Sequence, residues 1–278
     1  MMTHALKWLF LSLTLLITPL SFAAETFNYS DVGQGEPLIL IHPFPTDASV
    51  WAPQIAGLQK NFRIITLDLQ GFGPTANVDG KAIPMSTYAD QVHALMLALH
   101  IDKAIVGGES MGGYVALAFL KQYPQQVAGL ILSDTQAIAD TAKVRDKREQ
   151  AALDILANGT AQFNAKFLPL ALSQHAKDET KQFLKNILDA QSSQGMAAGL
   201  RGMALRADLS DVLASSDVPM LIITGDQDTL ISPQQSADMH SLAKNSKLVT
   251  LQAAHLSSLE QPQAWNAAVI DMFFNIKI

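Results

Sequence analysis

Short apolar runs, many of them β-branched, recur along the chain and are cut off by glycine, proline, histidine or aspartate. "PLILIH" (37–42), "FRIITLDL" (62–69), "KAIVGG" (103–108), "VAGLILSDT" (127–135), "VPMLIITGD" (218–226) and "SKLVTLQAAH" (246–255) have the length and composition of buried strands. Between them lie segments with apolar residues at helical spacing. "STYADQVHALMLALH" (86–100) predicts a helix, with Thr87 and Asp90 as an N-terminal capping pair. "SMGGYVALAFLKQYP" (110–124) predicts a second helix stopped by Pro124, and "QPQAWNAAVIDMFFNI" (261–276) a closing one. Strands alternating with helices imply an α/β fold, a mostly parallel sheet covered on both faces.

One region breaks that rhythm. From 136 to 211 the pattern is helical, as in "AKVRDKREQAALDILANG" and "DETKQFLKNILDAQSSQG", without a convincing strand. This reads as a helical insertion at 136–211 in a core domain made of 24–135 and 212–278. The first 23 residues differ again. Lys7 precedes an apolar run from Trp8 to Ile17, and Ser21 and Ala23 occupy the −3 and −1 positions of a cut after Ala23. That is the pattern of a secretory signal peptide, so the expected location is periplasmic or secreted. The apolar run is shorter than the ~20 residues a membrane span needs, so no stable membrane insertion is expected after cleavage.

Composition narrows the classes. Of 278 residues, 49% are apolar and 16% charged, which supports a large core and excludes a disordered chain. A net charge of −6 supplies no basic footprint, so no nucleic-acid partner is expected. The absence of cysteine excludes disulfides, thiolate-held metal and thiol catalysis.

In open parallel sheets ligands bind beyond the carboxyl ends of the strands, so residues that follow strands are the candidates. Gly108-Glu109-Ser110-Met111-Gly112 matches G-x-S-x-G between a strand and a helix. At such an elbow the serine is strained and the flanking glycines relieve crowding. A serine nucleophile needs a base. His93 and His100 lie on a helix, and His175 and His240 sit in polar segments, whereas His255 ends the last strand. His255 is therefore the candidate general base. Asp228, just past a strand, is the leading orienting carboxylate, with Asp134 and Asp226 as alternatives. For the oxyanion, the candidate donors are the backbone N–H groups of Met111, at the helix N-terminus, and of Phe44 in "HPFPTDASVW", where Pro43 and Pro45 have none.

"HPFP", "DLQGFGPT", "GESMGG", "GDQD" and "AAHLSSLEQP", in this order, resemble the α/β-hydrolase superfamily, most closely its enol-lactonase and esterase branch. The resemblance implies a sheet of about eight strands and a helical cap formed by the insertion. It implies a triad of Ser110, Asp228 and His255 with Phe44 and Met111 at the oxyanion. It also implies a serine hydrolase acting on a small-molecule ester or lactone, with no cofactor or metal. C–C bond hydrolysis or perhydrolysis by the same triad, or a non-catalytic binding protein, are the competing functions. Two positions depart from the family pattern: Pro43 follows His42 where glycine is usual, and Gln70 stands where arginine is frequent. In the insertion, Met196, Met203, Phe163 and Phe167 are candidate pocket residues, and Arg201 and Arg206 candidate partners of a substrate carboxylate.

Overall fold

The computed structural model describes residues 27–75 and 77–276, so the segment read as a signal peptide lies outside the described residues. Seven strands form one sheet in the order β1-β3-β2-β4-β5-β6-β7. They are β1 (Tyr29–Val32), β2 (Glu36–Ile41), β3 (Phe62–Leu67), β4 (Ala104–Glu109), β5 (Val127–Ser133), β6 (Met220–Gly225) and β7 (Ser246–Leu251). All neighbours pair in parallel except β1, which runs antiparallel to β3. The six runs identified in the sequence are β2 to β7. β1 was not anticipated, because "YSDV" is a four-residue edge strand that stays half exposed and carries no apolar run. The sheet thus has seven strands among the described residues, where about eight were expected.

The continuous apolar runs follow from coverage on both faces. Leu38 and Leu40 of β2 pack with Trp51, Trp265 and Phe273, against α1 (Ala52–Leu58) and α11 (Pro262–Phe273). Ile39 and Ile41 point the other way, toward Val92, Met96 and Phe119 on α2 (Met85–Ala98) and α3 (Met111–Gln122). Alternate side chains of one strand therefore serve two cores, which is why every buried position of β2 is apolar. Each fully buried leucine or isoleucine there contributes about 2 kcal/mol.

The helix expected at 86–100 forms over 85–98, but its proposed cap does not. Pro84 occupies the N-cap without a side-chain bond, and Asp90 accepts from Gln122 at the end of α3 and from Tyr123, its C-cap, at 2.6 Å each. Tertiary contact wins over local capping because it ties two neighbouring helices together. Between β5 and β6 lie α4 (Ala142–Asn158), α5 (Ala161–Ala171), α6 (Asp178–Asp189), α7 (Ser193–Ala204) and the short α8 (Ser210–Ser215). No strand interrupts them among the described residues. α9 (Pro233–Leu242) and α10 (Ser257–Glu260) complete the chain. No helix among the described residues is long and apolar enough to cross a membrane.

Candidate active site

Ser110 stands between β4 and α3 with φ 53° and ψ −114°, a region that a residue with a β-carbon occupies only under constraint. The constraint is main-chain crowding. A Cβ on Gly112 would lie 2.0 Å from the Ile41 carbonyl oxygen, and one on Gly108 2.1 Å from the Gly112 carbonyl carbon. Only glycine permits the first turn of α3 to settle on β2. Ser110 N–H donates to the Ser133 carbonyl, and the Thr135 hydroxyl donates to the Ser110 carbonyl, both at 2.8 Å. The elbow is therefore held on both sides of its strained residue.

His255 reaches Ser110 from the loop between β7 and α10. Its Nε2 is 2.8 Å from Ser110 Oγ, and its Nδ1 is 2.8 Å from Asp228 Oδ2. Asp228 is itself oriented: its Oδ1 accepts from the N–H groups of Leu230 and Ile231 at 2.8 and 2.9 Å. Its acceptor role fixes the tautomer, with Nδ1 carrying the proton and Nε2 free to accept from Ser110. All three side chains are buried.

The two rival carboxylates are engaged elsewhere. Asp134, left-handed at φ 46°, accepts from the Gly225 N–H at 2.7 Å and from the hydroxyls of Ser133 and Ser257. Asp226 is exposed and accepts from the Ala253 N–H. The other histidines are remote in role. His93 stacks on Tyr123 with ring centroids 4.0 Å apart, and His100, His175 and His240 are exposed.

The loop after β2 turns on His42. Its Nε2 accepts from the Leu69 N–H at 3.1 Å, so its Nδ1–H donates to the Pro43 carbonyl at 3.0 Å. Burial pushes its pKa down, consistent with a neutral ring serving as a bracket between two loops. Thr46 closes the turn through its N–H and hydroxyl, both donating to Pro43 O. Among the described residues, neither the Phe44 nor the Met111 N–H has a protein acceptor. Gln70, in place of arginine, is exposed, and its backbone N–H donates to Gln91.

Ser110 and His255 open into a cavity of about 470 Å³. Phe163 and Phe167 of α5, stacked at 6.0 Å, and Met203 of α7 line it as expected. Met196 instead is buried in the core. Arg201 and Arg206 do not face an open site as free cations. Arg201 pairs with Glu149, and Arg206 with Asp140 at 2.6 Å while its guanidinium covers the Tyr114 ring at 4.1 Å. The cationic residues that line the cavity are Lys147 and Arg148 on α4, Arg148 being itself paired with Asp140 at 2.6 Å. They were unreadable in advance, because only the seating of α4 over the sheet turns that helix face toward Ser110.

A match to the α/β-hydrolase fold family spans residues 36–262, covering the strand ends that carry Phe44, Ser110, Asp228 and His255. The chain belongs to that family. Among relatives of this hydrolase, 3-oxoadipate enol-lactonase 2 of Acinetobacter baylyi is 29% identical over 249 residues, covering 87% of this chain and 91% of the relative. The pimeloyl-[acyl-carrier protein] methyl ester esterase of Vibrio parahaemolyticus is 26% identical, covering 89% and 98%. Of solved structures, a thermophilic esterase from Thermogutta terrifontis superposes with a TM-score of 0.87 at 30% identity, covering 91% of this chain and 94% of the other. The enol-lactonase of Burkholderia xenovorans gives 0.80 at 25%, covering 88% and 95%. This hydrolase therefore sits among enzymes named for ester and lactone cleavage.

Proposed function

We propose that this hydrolase cleaves a small carboxylic ester or lactone through an acyl-enzyme. The observation that carries this reading is the continuous path from Ser110 Oγ through His255 to Asp228, two contacts of 2.8 Å, ending in the apolar cavity. Ser110 Oγ attacks the carbonyl carbon while His255 Nε2 takes its proton. Asp228 holds the ring and stabilises the imidazolium that forms. The N–H groups of Phe44 and Met111 receive the tetrahedral oxyanion, each such donor being worth about 10²–10³ in kcat. His255 then returns the proton to the leaving alkoxide, and water repeats the sequence to release the acid. The cavity lining favours an apolar acyl or alcohol group.

The test is hydrolysis of p-nitrophenyl esters of increasing chain length and of a lactone panel, beside Ser110→Ala. Turnover is expected in the parent and not in the variant. Hydrolysis that persists in Ser110→Ala would overturn the reading. We further propose export by the leader with cleavage after Ala23. Secreted material should begin at Ala24, and an intact Met1 would refute the cut.

A further inference from the structure

Beneath the proposed triad lie two carboxyl groups that the mechanism above does not use. Glu109 immediately precedes the nucleophile, and Asp134 follows β5; neither has any solvent exposure. They meet at the Ser133 hydroxyl, 3.0 Å from Asp134 Oδ2 and 3.4 Å from Glu109 Oε1. The Trp265 indole N–H donates to the same oxygen at 3.1 Å. Two serines just after His255 close the cluster. Ser258 donates its N–H to Glu109 Oε1 at 3.0 Å and its hydroxyl to Oε2 at 2.7 Å, and the Ser257 hydroxyl donates to Asp134. Gln54 of α1 holds the Ser258 carbonyl at 2.8 Å.

No cation neutralises this pair. None of the ion pairs among the described residues includes Glu109 or Asp134. The ionisable groups that face it are His255, from the β7–α10 loop, and Asp228, from the segment after β6. β5 and α11 present only Ser133 and Trp265, and α1 only Gln54. Two buried carboxyls bridged by one hydroxyl cannot both be ionised without large repulsion, so the pair retains a proton that a single carboxylate would have lost.

Resting on the triad reading above, we propose that Glu109 and Asp134 are positioning residues that act as one proton-sharing pair, setting the basicity of His255 and the register of its loop. Burial pushes the Glu109 carboxyl up to about 7, against its hydrogen bonds with Ser258, Asp134 and Ser133. Burial and the neighbouring Glu109 charge push that of Asp134 well above the usual range, against His255 and the Ser257 hydroxyl. Loss of the Glu109 proton therefore falls near neutral pH. It adds a negative charge beside His255 and stabilises the imidazolium of the transition state.

The experiment is the pH dependence of kcat/KM for the parent, Glu109→Gln, Asp134→Asn and the double variant. The isosteric amides keep the shape of the cluster while abolishing one or both ionisations. The acid limb of the parent should need two ionisations, and that of each single variant only one. In the double variant the remaining ionisation should move to lower pH by on the order of one unit, because no charge is left beneath the imidazolium. Acid limbs of identical shape in parent and single variants would overturn the proposal. A catalysis-independent readout uses the Ser110→Ala background. Infrared spectra near pH 6 should show the carbonyl stretch of a protonated carboxylic acid that disappears in Glu109→Gln. Its absence from the parent, or its persistence in both single variants, overturns the shared proton even if the triad stands. Should either amide variant fail to fold, Ser133→Ala removes the bridge and should shift that band; an unshifted band counts against the pair.

Discussion

The floor of the active-site cavity and the part of its helical roof that lines the chamber are held by different kinds of contact. At the floor, main chain lies on main chain: a β-carbon at Gly112 would sit 2.0 Å from a carbonyl oxygen of β2. In the roof, α7 also rests on the loops below it through main chain, since a β-carbon at Gly195 or Gly202 would lie 1.7 or 1.9 Å from the Gly71 or Ile83 carbonyl oxygen. Around the chamber itself side chains meet side chains, as where Phe163 and Phe167 stack and Leu200 and Met203 face the cavity. The roof also leaves Leu153, Leu170 and Leu205 more than 40% exposed, whereas β4 is buried throughout. Rigid backbone contact admits no substituent, while side-chain packing absorbs changes of shape at small cost. Atoms that must hold position for chemistry belong to the floor, and atoms that select a substrate belong to the roof.

The largest expected effect tests the floor's chemistry. Asp228→Asn keeps the shape of the acid but removes the charge that orients His255, and kcat should fall about 10⁴-fold. Steady-state kinetics checks this, and a fall of under tenfold would remove Asp228 from the proposed triad. Next, Gly112→Ala should cost about 3 kcal/mol or more in a denaturant melt, because carbonyl oxygens cannot yield as side chains do. Leu200→Met in the roof should cost less than about 1.5 kcal/mol. Equal losses would erase the distinction between the two regions.

Glu109 supplies a third comparison, now through pH. Its carboxyl is raised in the folded state from 4.5 to about 7, so the folded chain binds this proton more tightly than the unfolded chain. The associated stabilisation is complete below about pH 4.5 and is lost as pH rises through about 7, on the order of 3 kcal/mol in all. Melts across this interval should show a steeper slope in the parent than in Glu109→Gln, where Asp134 alone remains. The roof's charged pair Arg201–Glu149 lies near the surface and should leave no comparable slope. The smallest effect concerns selectivity. Phe163→Ala should move preference between short and long acyl chains by about tenfold, through KM more than kcat. A larger loss of kcat on every ester would place Phe163 in the catalytic geometry.

The same contrast explains what the sequence made legible. Ser110, Asp228 and His255 could be named because each follows a strand, and strand ends converge wherever the sheet is parallel. The crowding that demands Gly108 and Gly112 is equally local, so their spacing carries it. Roof contacts depend on how helices seat over the sheet. Arg201 and Arg206 looked available for a substrate, yet their partners Glu149 and Asp140 lie 52 and 66 residues away along the chain. Lys147 and Arg148 were not singled out, since only the seating of α4 brings them to the cavity. Thr87 and Asp90 had cap spacing, but Asp90 found Gln122 and Tyr123 at the end of the neighbouring helix. The pairing of Glu109 with Asp134 across two strands has no sequence signal of its own.

Phe44 belongs to both regions. Its N–H is the proposed oxyanion donor, while its ring meets Phe163 edge-on at 5.8 Å and Phe72 at 6.1 Å. A substrate large enough to push Phe163 aside pushes on the same residue whose amide must meet the oxyanion. The ring is thus a mechanical linkage: fit in the upper chamber is transmitted to the alignment of a hydrogen-bond donor below. When the chamber is enlarged at position 163, Phe72 still braces the Phe44 ring, so the donor keeps its place while the space above it changes.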